Sequence, residues 1–278
     1  MEENLKTELD QVYSWLFKNK LLINSSKTKF MLFCTPQKKR HIPDFNISIN
    51  NQVIELVNEF TFLGITFDTH LNWKRHVEII ANKIIPIVSN LNKLKMILPQ
   101  NILLTIYNTL LLPHLNYGLL CWGTEIEHVT LLQKKAIRNI SSSTFFAHTE
   151  PIMIRLNILK VEDLYNLKLF KLYYQLMNDH FPSHFIHFKN FVTQGNQSGY
   201  NLRPKPPTTP SISLCFAEKN PSFKLVKLLQ HFPQVITCKI KSHSLKHLSS
   251  QVKYYYINSY NIECNDPNCF PSTYRARV

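Results

Sequence analysis

The sequence predicts an α+β fold, with a small antiparallel sheet near the N-terminus and a mainly helical remainder. Two patterns carry this. Before residue 70 the apolar residues fall in short runs bounded by Asn, Gly and Pro, the mark of strands and tight turns. Beyond residue 70 they recur every three or four positions, the period of a helix with one buried face.

Leu5, Leu9, Val12, Trp15 and Leu16 sit at helical spacing, so the chain opens on an amphipathic helix ending near Asn19-Lys20. "LLIN" (21–24) reads as a short strand, and "SSKTKFMLFC" (25–34) as a turn and strand. A polar loop runs from Pro36 to Pro43. "ISINNQVIELV" (47–57) reads as a hairpin about Asn50-Asn51, and "FTFLGITFD" (60–68) as a strand passing through Gly64. Val77, Ile80, Ala81, Ile84, Ile87, Val88, Leu91 and Leu94 then trace one helical face, with Pro86 expected to kink or break it. Further helices are predicted at "PQNILLTIYNTLLL" (99–112), "HVTLLQKKAIRNI" (128–140) and "VEDLYNLKLFKLYYQLM" (161–177). "GNQSGYNLRPKPPTTPS" (195–211) reads as a linker. Two amphipathic pieces come after it, "FKLVKLLQHF" (223–232) and "HSLKHLSSQVKYYYINSY" (243–260).

Composition narrows the class. The 278 residues suffice for a sizeable core, and 44% hydrophobic residues exclude a disordered chain. The net charge of +14 is unevenly spread: residues 1–70 and 141–180 are each neutral, 71–140 carry +5 and 181–278 carry +9. Such an excess suits a polyanionic partner, or equally an ordinary basic, soluble surface. The acidic start "MEENLKTELD" has no secretory signal. The most apolar window, 103–122, contains Asn108, Pro113, His114 and Asn116, each expensive in lipid, so it reads as buried helix and turn. Six scattered cysteines fit a reducing compartment. The expectation is a nuclear or cytoplasmic protein, neither secreted nor transmembrane.

Three stretches resemble the later part of a non-LTR (LINE or jockey-like) retrotransposon reverse transcriptase. "VYSWLFKNKLLINSSKTKFMLF" is similar to the family's segment after its catalytic hairpin. "FTFLGITFDTHLNWKRHVEII" resembles the Leu-Gly strand and helix of its primer grip and thumb opening. "LLTIYNTLLLPHLNYGLLCWG" with "LLQKKAIRNI" resembles helices beyond the thumb. The likeness covers residues 5–180. It implies a partial palm with a primer-grip-like strand over 1–69, a helical thumb and post-thumb region over 70–180, and a basic, loop-rich C-terminal region over 181–278.

On that resemblance Phe62, Leu63 and Gly64 grip a primer terminus, glycine allowing close backbone approach. Lys74, Arg75 and Lys83 would meet template–primer phosphates, and Trp73 would anchor the thumb helix. His76 is a third possible cation beside Lys74 and Arg75. Lys134, Lys135 and Arg138 form a further basic group, Lys134 and Arg138 sharing a helix face; a solvated surface explains them as well. Lys27 matches the family's lysine that protonates departing pyrophosphate, or is simply a lysine in a polar turn.

The family's chemistry is phosphoryl transfer at two Mg²⁺ ions held by clustered carboxylates. The six aspartates, Asp10, Asp44, Asp68, Asp163, Asp179 and Asp266, include no adjacent pair. The resemblance therefore implies an RNA-directed DNA polymerase fragment that is inactive alone. It needs no cofactor of its own, binds RNA and DNA backbone non-specifically, and takes no small-molecule substrate. The alternative is a non-catalytic helical protein-interaction scaffold. His243, His247, Cys264 and Cys269 make a loosely spaced zinc set, against exposed histidines and a reduced tail. Tyr254, Tyr255 and Tyr256 beside Lys253 offer stacking for single-stranded bases or one face of an amphipathic helix. Finally, "LLIN", "FMLF" and "FTFLG" are expected to leave apolar edges uncovered and the N-terminal region marginally stable.

Overall fold

In the computed structural model the described residues are 2–24, 26–35, 46–50, 52–193, 220–233 and 239–260. The Pro36–Pro43 loop, the 195–211 linker, Cys264 and Cys269 lie outside them. The chain divides into two compact units, Met1–His76 and Val77–Val278.

The first unit opens with α1 (Glu2–Lys18), which ends where Lys20 takes φ 57° and the Asn19 side chain bonds the Trp15 carbonyl. Residues 21–24 form no strand, contrary to expectation. Asn24 instead builds a turn, its Oδ1 accepting from the Lys27 N–H at 3.1 Å and its carbonyl from the Thr28 N–H at 2.9 Å. An asparagine that satisfies its neighbours' backbone in this way competes with strand formation.

Among its described residues the unit continues with six short strands: β1 (Lys29–Phe30), β2 (Ser48–Ile49), β3 (Gln52–Val53), β4 (Glu55–Leu56), β5 (Glu59–Phe62) and β6 (Ile65–Asp68). The α+β class holds, but the strands make three two-stranded pairings and not one antiparallel sheet. β1 and β4 are parallel, Lys29 facing Glu55 and their side chains ion-paired. β2 and β3 form the hairpin read from Asn50-Asn51, with Ile49 opposite Gln52 and Asn50 at φ 48°. Ile47, Ile49 and Ile54 form the local core, packed against Leu9 and Tyr13 of α1 and against Ile23 and Phe30.

α2 (Lys74–Leu94) begins in the first unit and continues into the second. Of the predicted face Val77, Ile80, Ala81, Ile84, Val88 and Leu91 are buried, and Ile87 and Leu94 are half-buried. Pro86 does not break the helix. It lies on the exposed side, as does Asn82, whose carbonyl would have met the missing N–H, so water can serve that acceptor.

The remaining helices are α3 (Gln100–Ile106), a π turn (Tyr107–Leu111), α4 (Leu112–Asn116), α5 (Leu119–Trp122), α6 (Glu127–Ile140), α7 (Thr149–Leu156), α8 (Val161–Met177), a 3₁₀ turn (Ser183–Phe185), α9 (Ile186–Thr193), α10 (Pro221–His231) and α11 (Leu245–Asn258). The helix expected over 99–112 runs without a gap from Gln100 to Asn116, widened at its centre by the π turn. Leu103, Tyr107, Leu111 and Leu115 are all buried at a strict four-residue interval along this helix. An α-helix drifts about 40° per four residues, and the wider π turn absorbs that drift.

α8 is the central element of this unit, contacted by α5, α6, α10 and α11. Phe232, just past α10, stacks on Phe170 of α8 at 5.5 Å. Gln133 on α6 is fully buried yet satisfied: it donates to the Tyr107 hydroxyl (2.9 Å) and the Leu159 carbonyl (2.8 Å), and accepts from the Val161 N–H (3.1 Å). Burial pushes the Tyr107 hydroxyl up to about 12, so it stays a neutral partner. Asn139 ties α6 to α2 through the Val88 carbonyl at 3.1 Å. At Gly123 a Cβ would fall 2.3 Å from the Tyr165 ring and 2.5 Å from the Leu119 carbonyl oxygen, so only glycine lets α5 close on α8. Among the described residues no helix is long and apolar enough to cross a membrane.

Candidate nucleic-acid interface

The segment 59–76 forms a hairpin and then a helix start. β5 and β6 pair with Phe60 opposite Phe67 and Phe62 opposite Ile65. The sequence reading of one strand through Gly64 is corrected: Leu63 and Gly64 are a two-residue turn, at φ 48° and 77°. Positive φ at both central residues is what lets a two-residue turn match the twist of its strands. Gly64 is therefore required for its backbone conformation, and Leu63 occupies a conformation that side chains disfavour. Phe62 and Leu63 project from the tip, both exposed.

Asp68 organises the loop between β6 and α2. Its carboxylate accepts from the backbone N–H groups of His70 (2.9 Å), Asn72 (3.0 Å) and Trp73 (3.1 Å), holding a loop in which Leu71 and Trp73 both take positive φ. The Trp73 ring meets Phe67 of β6 edge-on at 5.4 Å. His76 is buried, its Nδ1 accepting from the Thr66 N–H at 3.2 Å. A doubly protonated ring cannot accept there, so His76 serves as an edge clasp for β6 in place of the cation considered for it. Arg75 pairs with Glu59 at 3.3 Å, while Lys74 is exposed. Sequence reasoning missed both clasps; the only signal was an aspartate and a histidine flanking a polar loop.

Lys27 stands exposed in the Asn24 turn. In the second unit Lys83 lies on the exposed side of α2 and Lys135 on the exposed side of α6, with Lys134 half-buried. Arg138 is used differently: its Nε donates to the Ala147 carbonyl at 2.8 Å, pinning the turn after α6. Of the tyrosine row, Tyr256 belongs to the core, and Tyr255 packs against it and Phe232. Tyr254 remains exposed, and burial lowers the Lys253 ammonium. The row thus holds one buried ring, Tyr256, and two exposed ones, Tyr254 and Tyr255. His243 and His247 stack at 5.3 Å.

Of the four described aspartates, Asp10, Asp68, Asp163 and Asp179, three have partners. Asp68 spends its carboxylate on backbone N–H groups, Asp163 accepts from the Tyr260 hydroxyl at 2.6 Å, and Asp179 pairs with Lys189. Among the described residues no three His, Cys, Asp or Glu side chains converge to hold a metal.

Comparison with known proteins bears on this arrangement. The chain is 24% identical over 185 residues to the RNA-directed DNA polymerase from mobile element jockey of Drosophila funebris, covering 63% of this chain and 19% of that protein. It is 28% identical over 168 residues to the corresponding polymerase of Drosophila melanogaster, covering 57% and 18%. The chain thus spans about a fifth of the length of the curated relatives it matches. No family model matches, and no solved structure does. This chain carries a region resembling the reverse transcriptase of a non-LTR retrotransposon.

Proposed function

We propose that the chain acts as a template–primer holding portion of a retrotransposon RNA-directed DNA polymerase, gripping RNA and DNA backbone without sequence preference in the nucleus or cytoplasm. The similarity to jockey polymerases carries this reading. The geometry supports it in two ways. Phe62 and Leu63 stand exposed at a hairpin tip fixed by Asp68, Trp73 and His76. Lys74, Lys83 and Lys135 offer exposed cations for phosphates. The sequence has no adjacent aspartates, and Asp68, Asp163 and Asp179 each have hydrogen-bond or ion-pair partners, so the role assigned to this chain's residues is binding.

Fluorescence anisotropy on a labelled template–primer duplex tests this. Affinity should fall as salt rises, by a log–log slope of about −0.7 to −0.9 per phosphate contacted. A flat salt response, or no binding, rejects the reading. Nucleotide incorporation by the purified chain with Mg²⁺ would reject its binding-only form.

A second reading, a protein-interaction scaffold, is favoured by the exposed Val12, Trp15, Phe17 and Leu22 of the first unit. A discrete protein complex surviving nuclease treatment would select it.

A further inference from the structure

α6 ends in a turn, residues 141–148, whose sequence "SSSTFFAH" sets two aromatic rings in solvent. Phe145 and Phe146 are 72% and 75% exposed, edge to face with centroids 5.3 Å apart. A single exposed apolar side chain is ordinary; two adjacent ones on a fixed backbone ask for a ligand. The backbone here is fixed. Besides the Arg138–Ala147 bond, the Ser143 N–H bonds the Arg138 carbonyl at 3.0 Å, and Ala147 is fully buried. The Arg138 guanidinium lies 6.0 Å from the Phe145 ring centroid, at the edge of cation–π range.

Phe146 lines a cavity of about 430 Å³, to which Lys134, Arg138 and His148 bring basic groups and Thr130 and Thr149 bring hydroxyls. Two acids share the wall. Glu150 is ion-paired with Lys160 at 2.8 Å, and Glu162 is the other. The volume falls within the range of small-ligand sites. Exposed rings beside cations are how proteins hold unpaired bases, the ring taking the base's flat face and the cation its phosphate. The cations give the charge complement; the rings add what a merely anionic partner would not use.

We infer that the 141–148 turn and this cavity bind a single-stranded polynucleotide, with Phe146 stacking a base and Lys134 meeting a phosphate. The inference rests on the template–primer reading for its class of partner and adds a single-strand site on the second unit.

The test measures anisotropy of the full chain with labelled oligothymidylate, an abasic oligonucleotide of equal length, and template–primer duplex. The intact chain should prefer oligothymidylate to the abasic strand by about fivefold or more. Phe146→Ala should abolish that preference, lowering oligothymidylate affinity roughly tenfold while leaving duplex affinity unchanged. Lys134→Gln should weaken both single strands alike and reduce the salt slope by about one. Phe146→Leu keeps apolar bulk without a planar face, and should behave as Phe146→Ala with an unaltered melting curve. Equal binding of abasic and base-bearing strands by the intact chain overturns the site and leaves the duplex reading standing. So does unchanged oligothymidylate affinity in both Phe146 variants, or polyglutamate binding that oligothymidylate cannot displace, which assigns the cavity to acidic protein segments. Persistence of the oligothymidylate preference without duplex binding overturns the template–primer reading alone. Binding to none of the three overturns both.

Discussion

Leu103, Tyr107, Leu111, Leu115 and Trp122 in the second unit are all but sealed from solvent, whereas in the first only Ile47, Ile49 and Ile54 are buried apolar residues among those described. The first unit instead leaves Phe17 69% and Leu22 94% exposed. Its strands are two to four residues long, below the usual five or six, so their ladders contribute little. What orders it is a set of local polar devices: the Asn24 turn, the Asp68 carboxylate and the His76 clasp. The second unit is ordered by packing around α8, with buried polar groups such as Gln133 fully answered. The hairpin proposed to meet a primer is thus held by few interactions, while the helical unit is held by a continuous core.

Hydrogen exchange should show amides of β5 and β6 opening at least about a hundredfold more readily than those of α8, because local openings expose few buried contacts. Equal protection in the two regions would dissolve the contrast, as would a single cooperative transition at high temperature. Gly123→Ala should cost about 2–3 kcal/mol, since the added methyl collides with both the Tyr165 ring and a backbone carbonyl. Its effect belongs to the second unit, leaving exchange of residues 59–68 unchanged. Asp68→Ala should cost the first unit about 2 kcal/mol by orphaning backbone donors, read as faster exchange there with α8 unaffected. Leu63→Asn should stabilise the hairpin by about 0.5–1 kcal/mol, asparagine tolerating the turn's positive φ. If Leu63 grips a primer, the same variant loses duplex affinity while gaining stability.

The smallest effect concerns Asp163. Burial holds its carboxyl above the ordinary range, only partly offset by the Tyr260 hydroxyl and the Lys160 charge. With the folded value raised, this group costs nothing below the unfolded carboxylate range, near pH 4, and subtracts stability as pH rises through the folded value. Asp163→Asn keeps an acceptor for Tyr260 without the charge. Its melting temperature should exceed the parent's by about one or two degrees at pH 7, the gap closing near pH 4. A gap that widens in acid would contradict the assignment.

Much of the fold is legible in residue order. The Asn50-Asn51 hairpin has a standard turn chemistry, and the face from Val77 to Leu91 has an unbroken helical period. α8 begins at Val161 and ends at Met177, matching the run read for it. The hairpin at Leu63-Gly64 is not legible, because leucine at a positive-φ position contradicts the turn statistics that would have announced it. Phe145 and Phe146 give no signal for a related reason: in a serine-rich turn they belong to no period. Arg138 has the spacing of a phosphate contact, and only its bond to Ala147 shows its structural use.

Charge distribution, helical periodicity and the order of recognisable stretches are properties of the chain taken locally, so the sequence determined the α+β class, most helices and the likeness to jockey polymerases. Whether a side chain faces solvent or a neighbour depends on residues distant in sequence. Tertiary structure therefore decided that Tyr256 and His76 are internal, that Asp68 serves the backbone, and that the rings of Phe145 and Phe146 stand in solvent. Packing assigns each polar or aromatic group its partner, and no local pattern encodes that choice.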